Sequence, residues 1–251
     1  MQEWFDQSWT WLIRQFVTTF IERDRYKLFI EGFQNTIIIA LSAAAIGVFI
    51  GIVVAMVRVY HAQTGRLKFF DFIFSVYLAI FRGTPIVVQL LIMYFIILKS
   101  INNGLLVAIL AFGINSGAYV AEIIRAGILA VDIGQTEAGR SLGLSPFKTM
   151  TLIVLPQAIK NILPALGNEF ITLLKETSVV GYISIRDLAR AGSNVRAATM
   201  EPYFSLLFVA LVYFILVFGI SKLLKLAEKK LSKGDRGYNR AQTKDKERGA
   251  G

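Results

Sequence analysis

The chain of 251 residues contains no cysteine and one histidine, His61. The lack of cysteine excludes disulfides, thiolate catalysis and cysteine metal sites, and a lone histidine makes a histidine metal site a poor candidate. No segment matches the phosphate-binding loop G-x-x-x-x-G-K-[ST], so any ATP-driven activity would need a separate nucleotide-binding subunit. Acidic residues are scarce, with 17 Asp and Glu against 27 Lys and Arg, a net charge of +10.

Apolar residues are abundant, at 55% of the chain with a mean hydropathy of +0.58, which indicates a membrane protein. The runs 32–57, 100–121 and 202–221 are uncharged and long enough for a bilayer, which takes about 20 residues. The runs 72–98 and 161–185 are interrupted by charges or by Gly and Pro, and must be covered by protein or a water-filled cavity at membrane depth. The sequence therefore predicts an all-α membrane protein with five transmembrane helices.

Lys and Arg are concentrated in the segments 58–68, 125–160 and 222–230, whereas the other connections carry few of them or balance them with acids. Basic short loops stay on the cytoplasmic side. The N-terminus is therefore predicted outside and the C-terminus inside. The basic C-terminal flank suits a membrane surface, so membrane lipid is the expected contact and nucleic acid is not.

Three regions are predicted. Residues 1–29 mix aromatic and charged side chains, as in an external or interfacial amphipathic segment. Residues 30–225 form the transmembrane domain. Residues 226–251 are basic and polar, and are predicted to be a disordered cytoplasmic tail.

Small residues recur every four positions in the first span, at Ala43, Gly47, Gly51 and Ala55. Such a stripe lets another helix approach closely. The partner helix belongs either to the same subunit or to a neighbouring one.

A cytoplasmic stretch at about 132–160 is too polar to cross the membrane and too long for a turn. Asp132 is placed to cap a first helix that ends at Gly143, where glycine suits a left-handed stop. Ser145-Pro146 is placed to start a second helix, ended by Pro156. Folded loops of this kind are either docking elements or compact connectors.

The same stretch resembles the EAA loop of bacterial ABC importer permeases. Glu137-Ala138-Gly139, Gly143 and the run 153–156, Ile-Val-Leu-Pro, fit that pattern, with Gly139 in place of its second alanine. The segments FRGTPIVVQLL, YVAEIIRAGI and LPQAIKNILPALGNEFITLLKETS are similar to the polar amino acid branch of these permeases. The similarity covers roughly residues 30–225.

The resemblance implies a type I ABC importer permease core in a bacterial inner or plasma membrane, paired with a second permease as a homodimer or heterodimer. It implies cytoplasmic ATP-binding subunits that hold ATP and Mg, and an extracytoplasmic solute-binding protein that delivers a polar amino acid. The chain itself would bind no cofactor and perform no catalysis. The residues that would couple it to the ATPase are Glu137, Ala138, Gly139, Gly143, Leu155 and Pro156.

The third span carries candidate pathway residues. Asn115, Tyr119 and Glu122 fall on one face of a helix. Asn115 and Tyr119 either line the pathway or make interhelical hydrogen bonds. Glu122 either contacts the substrate or pairs with Arg125, one turn further on.

Glu169 follows Lys160 by about 13 Å of helix, which places it near the middle of the membrane. A carboxylate there costs about 2.5–3.5 kcal/mol on insertion scales and needs a partner. The partner is either a cation of the solute, with Asn168 as a second polar contact, or a salt bridge to Arg82 or Lys175.

The sequence Gly83-Thr84-Pro85 interrupts the second span. Broken helices expose backbone groups able to hold the two ends of an amino acid, and Thr84 and Gln89 add side-chain donors. The alternative is a plain proline kink.

Two other functional classes are possible. An ion-gradient-driven secondary transporter or channel would use its own polar residues, although five spans without a visible repeat are few for such a transporter. A membrane-embedded enzyme would need clustered acidic or histidine metal ligands, and the sequence shows none.

Overall fold

The computed structural model describes the backbone of residues 2–249 and the side chains of residues 9–230. Within these limits the chain is all-helical and has no strand. The α-helices are α1 Gln2–Phe16, α2 Tyr26–Thr64, α3 Lys68–Gly83, α4 Ile86–Ile92, α5 Gly104–Leu129, α6 Ile133–Ser141, α7 Pro146–Thr149, α8 Leu155–Glu176, α9 Leu188–Thr199 and α10 Pro202–Gly249. Short π or 3₁₀ turns extend several of them, at Val17–Ile21, Glu22–Asp24, Met93–Ile97, Met150–Val154 and Thr177–Ile183.

Helices α2 and α5 pack closely and run parallel. A Cβ atom built on Gly47 would lie 2.9 Å from the Ser116 side chain, and one built on Gly51 would lie 2.6 Å from Val120 Cβ. A step of four residues along α2, from Gly47 to Gly51, therefore matches a step of four residues in the same direction along α5, from Ser116 to Val120. The two helices are thus parallel. The small-residue stripe of the first span packs inside the subunit, which is the first of the two predicted alternatives.

The segment between α2 and α5 is broken in its middle. α3 and the helical stretch Ile86–Ile97 meet at a bend of 112°, across an extended Thr84. This is a true break of the helix and not a kink of a continuous one. Leu78 of α3 shares a core cluster with Ala118, while Leu90 of α4 packs in the cluster that contains Ala108. The broken pair therefore follows α5 from its C-terminal half towards its N-terminal half.

Helix α8 is antiparallel to α5. Near the end of α5, a Cβ atom on Gly127 would lie 3.2 Å from Ile162 Cδ1, in the first half of α8. In the middle of α5, the Ser116 hydroxyl donates at 3.0 Å to Glu169, which lies in the second half of α8. Earlier residues of α5 thus meet later residues of α8.

Helix α10 returns along α8. The Tyr213 hydroxyl donates to the carboxylate of Asp187, which lies beyond the end of α8, at 3.4 Å. Further along α10, Leu224 would lie 2.7 Å from a Cβ atom on Gly167, in the middle of α8. α2, α5 and α10 therefore share one direction, and α3–α4 and α8 run in the opposite one.

In the part of the chain that the structure describes, four helices are long and apolar enough to cross a membrane, and the count is five if the bent pair α3–α4 is one span. The outward faces are apolar, as a lipid-facing surface requires. On α10, Leu207, Phe214 and Phe218 are at least 60% exposed. The interior is apolar as well, with large buried side chains such as Phe112 and Leu173, so apolar residues occupy both the core and the outer surface.

Pro156 does not end the second helix of the loop, contrary to the sequence prediction. The chain passes from α7 through the π-helical turn 150–154 into α8 without a break. In that turn the Leu155 N–H bonds to the Met150 carbonyl, one residue further back than in an α-helix. The wider turn accommodates Pro156, which has no N–H to offer, near the start of α8.

The two ends of the chain extend the core. α1 touches the start of α10, where the rings of Trp11 and Phe204 are 6.1 Å apart. α10 continues into the predicted tail, 226–251, whose side chains from 231 onwards lie outside the described residues. The interfacial position of residues 1–29 and the disorder of the tail stay predictions.

Candidate functional site

The break between α3 and α4 is filled by two amide side chains. Gln89 donates to the carbonyl oxygens of Phe81 and Thr84, each at 3.0 Å, and to the Thr84 hydroxyl at 2.8 Å. Asn115 of α5 donates to the Phe81 carbonyl at 3.2 Å and to Gln89 Oε1 at 2.8 Å. These bonds satisfy carbonyl groups that the broken helix leaves without intrahelical partners.

Gln89 and Asn115 are 6% and 3% exposed, so they are turned into the protein. Their geometry is that of interhelical hydrogen bonding, one of the two alternatives predicted for Asn115. Thr84 remains exposed, and its hydroxyl also donates to the Ile80 carbonyl at 2.8 Å. Thr84 thus faces the open surface, whereas the two amide side chains do not.

A charged cluster joins the end of α3, just before the break, to the C-terminal half of α5. Arg125 donates through Nε to Glu122 at 3.1 Å and makes a second, very short contact through Nη2. The predicted pair of Glu122 with Arg125 is thereby confirmed. Arg82, at the end of α3, approaches the same carboxylate at 3.7 Å and lies 5.8 Å from the ring centre of Tyr119.

Glu169 lies in the middle of α8 and is partly buried. Its described partner is the Ser116 hydroxyl, which donates at 3.0 Å. Among the described residues no ion pair joins Glu169 to Arg82 or Lys175, the partners considered from the sequence. Asn168, its neighbour in the chain, is exposed.

Ser116 and Arg82 were not predicted as site residues. Ser116 follows Asn115 directly, but nothing in the sequence shows that it meets Glu169, because that contact depends on the register of two helices. Arg82 could have been found from the sequence, because it is a charged residue inside an apolar run and stands directly before the break. It was considered only as a partner for Glu169.

The polar loop folds as its capping residues predict. The Asp132 carboxylate accepts from the Gly134 N–H at 2.7 Å, and Gly143 has φ +78° at the end of α6. The Gly143 and Leu144 N–H groups bond back to the carbonyls of Arg140 and Gly139, at 3.0 and 3.1 Å. This is a Schellman stop, in which glycine adopts the left-handed conformation. Ser145 Oγ likewise caps α7 by accepting from Lys148 N–H at 3.3 Å.

The glycine that departs from the EAA pattern has a local cause. Gly139 is buried, and a Cβ atom there would lie 2.8 Å from both Ile153 Cδ1 and Thr149 Cγ2. Glu137 and Ala138 beside it are exposed. α6 therefore packs its glycine against the turn after α7 and presents the first two residues of the pattern outwards.

The loop also exposes large apolar side chains beside its charged ones. Among them are Ile133, Leu142, Phe147 and Leu152, which are 66% to 80% exposed. Pro156 is exposed and Leu155 is half-buried near the start of α8. The described residues contain no group of three or more His, Asp or Glu able to hold a metal ion.

Residues 47–233 match the family described as "Binding-protein-dependent transport system inner membrane component". The chain is 39% identical over 209 residues to the arginine transport system permease protein ArtQ of Bacillus subtilis (strain 168), covering 82% of this chain and 93% of that one. It is 33% identical over 208 residues to the glutamine transport system permease protein GlnP of Escherichia coli (strain K12), covering 81% and 93%. Its fold is similar to that in a crystal structure of an amino acid ABC transporter with histidines, with a TM-score of 0.76, 41% identity, and 82% and 94% of the two chains covered.

Proposed function

The chain belongs to the family of inner membrane components of binding-protein-dependent transport systems, and from this premise we propose how its helices move a solute. It is the permease subunit of an ABC importer for a polar amino acid, a multi-pass protein of the bacterial inner or plasma membrane. The family is one of transport components, so the chain is not classed as an enzyme. The alternative of a gradient-driven transporter or channel is not supported.

We propose five spans, with the N-terminus outside and the C-terminus inside. The parallel packing of α2 and α5 supports the number, because the chain between two parallel spans must cross the membrane once. The broken pair α3–α4 is the segment available for that crossing. The basic segments 58–68, 125–160 and 222–230 then all fall on one side, which supports the orientation.

The polar loop is proposed to dock on a cytoplasmic ATP-binding subunit, which holds ATP and Mg. Its helix α6 is capped at both ends, and the loop presents Glu137 and Ala138 together with the exposed Leu142 and Phe147. Exposed apolar side chains next to charged ones, on a loop outside the membrane, are suited to binding a protein partner. A second permease, identical or similar, and an extracytoplasmic solute-binding protein complete the proposed importer.

The solute pathway is proposed to run along the middle of α5 and α8. The observation that carries this proposal is the Glu169 carboxylate, which is partly buried at mid-span with a neutral hydroxyl as its described partner. A charge at membrane depth requires a partner or a water-filled cavity, and the ammonium group of an amino acid supplies that partner. Asn168, Thr84 and Tyr119 are exposed nearby and are proposed as further contacts.

The N-terminal segment is proposed to lie at the outer membrane interface. Trp9, Trp11 and Ile13 of α1 are 47% to 60% exposed. Exposed tryptophans are favoured at the headgroup level of a bilayer.

The importer assignment is tested by reconstitution. The purified permease is reconstituted into liposomes, with and without its ATP-binding subunit. Uptake of labelled glutamine and arginine is then measured with the solute-binding protein added outside. We expect uptake that requires ATP inside and both partners. Uptake by the permease alone, driven by a proton or sodium gradient, would support the rival transporter.

A further inference from the structure

The cluster formed by Arg82, Glu122 and Arg125 carries one positive charge in excess. Both carboxylate oxygens of Glu122 are engaged by Arg125, through Nε at 3.1 Å and through Nη2. Arg82 reaches only one of these oxygens, at 3.7 Å, which is beyond hydrogen-bond distance. The Glu122 carboxylate is therefore bound chiefly by Arg125, and Arg82 is incompletely neutralised.

Arg82 is also placed to meet a ligand. Its side chain is 42% exposed, and a Cβ atom on the next residue, Gly83, would have nothing within 4 Å. The ring of Tyr119, 5.8 Å from the guanidinium carbon, holds the group by a cation–π contact on one side. The guanidinium is a rigid fork that matches a carboxylate with two parallel hydrogen bonds. A cation at membrane depth requires such an anion or a water-filled cavity.

The acidic group of the proposed pathway contacts the same part of α5. Ser116, which donates to Glu169, and Tyr119, whose ring lies against Arg82, are three residues apart on α5, a rise of about 4.5 Å. Neighbouring positions on one helix thus hold a carboxylate and an under-neutralised guanidinium. An amino acid carries the two complementary charges on one molecule.

We propose that Arg82 binds the carboxylate of the transported amino acid while Glu169 faces its cationic group. This inference deepens the proposed function and rests on it. It assigns Arg82 to specificity: the permease distinguishes an amino acid from a solute that has the same side chain but no carboxylate charge. Glu122 has the opposite role, because it competes with the solute for Arg82.

The test compares binding of acids and amides. The permease with its ATP-binding subunit is placed in nanodiscs, and Kd is measured by equilibrium dialysis for L-arginine and L-glutamine and for their α-carboxamides. The quantity of interest is the Kd of the amide divided by the Kd of the acid. We expect about ten- to a hundredfold for the wild type, the value of a charge-assisted hydrogen bond, and a ratio near one for Arg82→Gln. A purely structural Arg82 would weaken both probes alike and leave the ratio unchanged, which overturns the inference.

A second variant gives a change of opposite sign. Glu122→Gln removes the anion that competes for Arg82, so the ratio should rise severalfold. Arg82→Lys keeps the charge without the fork, and should retain a smaller preference for the acid. If the Arg82→Gln permease does not assemble, the test rests on Glu122→Gln. An amide-to-acid Kd ratio in Glu122→Gln that is equal to or lower than that of the wild type then overturns the inference. If the wild type binds acid and amide equally, only this inference is overturned. If the wild type binds neither compound, the proposed pathway is overturned as well.

Discussion

Replacing Glu169 by glutamine removes one negative charge from the middle of α8 and keeps the shape of the side chain. The amide oxygen of glutamine still accepts the hydrogen bond from Ser116, now 3.0 Å from the carboxylate. The two helices therefore keep their contact. What is lost is the attraction for a cation in the pathway.

The magnitude follows from two opposing effects. A charge-assisted hydrogen bond to a solute ammonium is worth about 1.5–3 kcal/mol, or roughly ten- to a hundredfold in binding. A carboxylate at mid-membrane depth costs about 2.5–3.5 kcal/mol on insertion scales, and neutralisation removes that cost. We therefore expect Glu169→Gln to lose solute affinity by one to two orders of magnitude while assembling at least as well as the wild type.

The assay separates these quantities in one preparation. Proteoliposomes with the ATP-binding subunit and the solute-binding protein give the concentration dependence of ATP-driven uptake, ATP hydrolysis without solute, and the thermal melting of the complex. The variant should need a much higher solute concentration. Hydrolysis without solute should persist, because the loop 132–160 is untouched.

Glu176→Gln is the matched control, since it neutralises another partly buried acid on α8, two turns further along. We expect it to keep the apparent affinity of uptake within about twofold. A well-assembled Glu169→Gln permease with wild-type apparent affinity would refute the pathway assignment. So would an equal loss in both variants, which would indicate a general effect of charge.

Further predictions concern the loop, the topology and the packing. Gly143→Asp should reach the membrane in normal amount but lose ATP-coupled uptake, because φ +78° strains a side chain; Gly143→Asn, which tolerates that conformation, should lose less, and equal normal uptake in both would contradict the docking model. Cysteines at Ser145 and Asn194 should react with an impermeant thiol reagent from opposite sides of the membrane, and labelling of both in intact cells would contradict five spans. Gly51→Ala should lower the melting temperature by several degrees, because its Cβ atom would lie 2.9 Å from a backbone nitrogen of α5, whereas Gly219→Ala, with nothing within 4 Å, should not. Equal melting of the two alanine variants would show that the α2–α5 contact yields easily.

The sequence predicted features that depend on a few adjacent residues. Asp132, Gly143 and Ser145 act within one turn of helix, so their caps and stop could be located from residue type and spacing. The break at Gly83-Thr84-Pro85 was located for the same reason. The family resemblance of the loop rests on local motifs as well.

Features that depend on the register between distant segments were not predictable. At the break, which bends by 112°, the Phe81 carbonyl accepts a hydrogen bond from Asn115 on another helix, and residue type does not reveal that contact. The partner of Glu169 is Ser116, because α5 and α8 happen to place them level. The prediction of a helix end at Pro156 is wrong, because the π-helical turn before it is a change of hydrogen-bond register that residue type does not reveal.

The amide network at the break has a consequence for biogenesis. When the ribosome has just delivered α3 and α4, the Phe81 carbonyl has the Gln89 amide beside it, but its second donor, Asn115, is 34 residues further along the chain. The transfer of a broken helix into lipid is less favourable than that of a continuous helix, because some of its carbonyl groups lack a hydrogen-bond donor. We expect the translocon to retain this segment until α5 emerges and to release the two together, so that the hairpin and not the single span is the unit of membrane insertion.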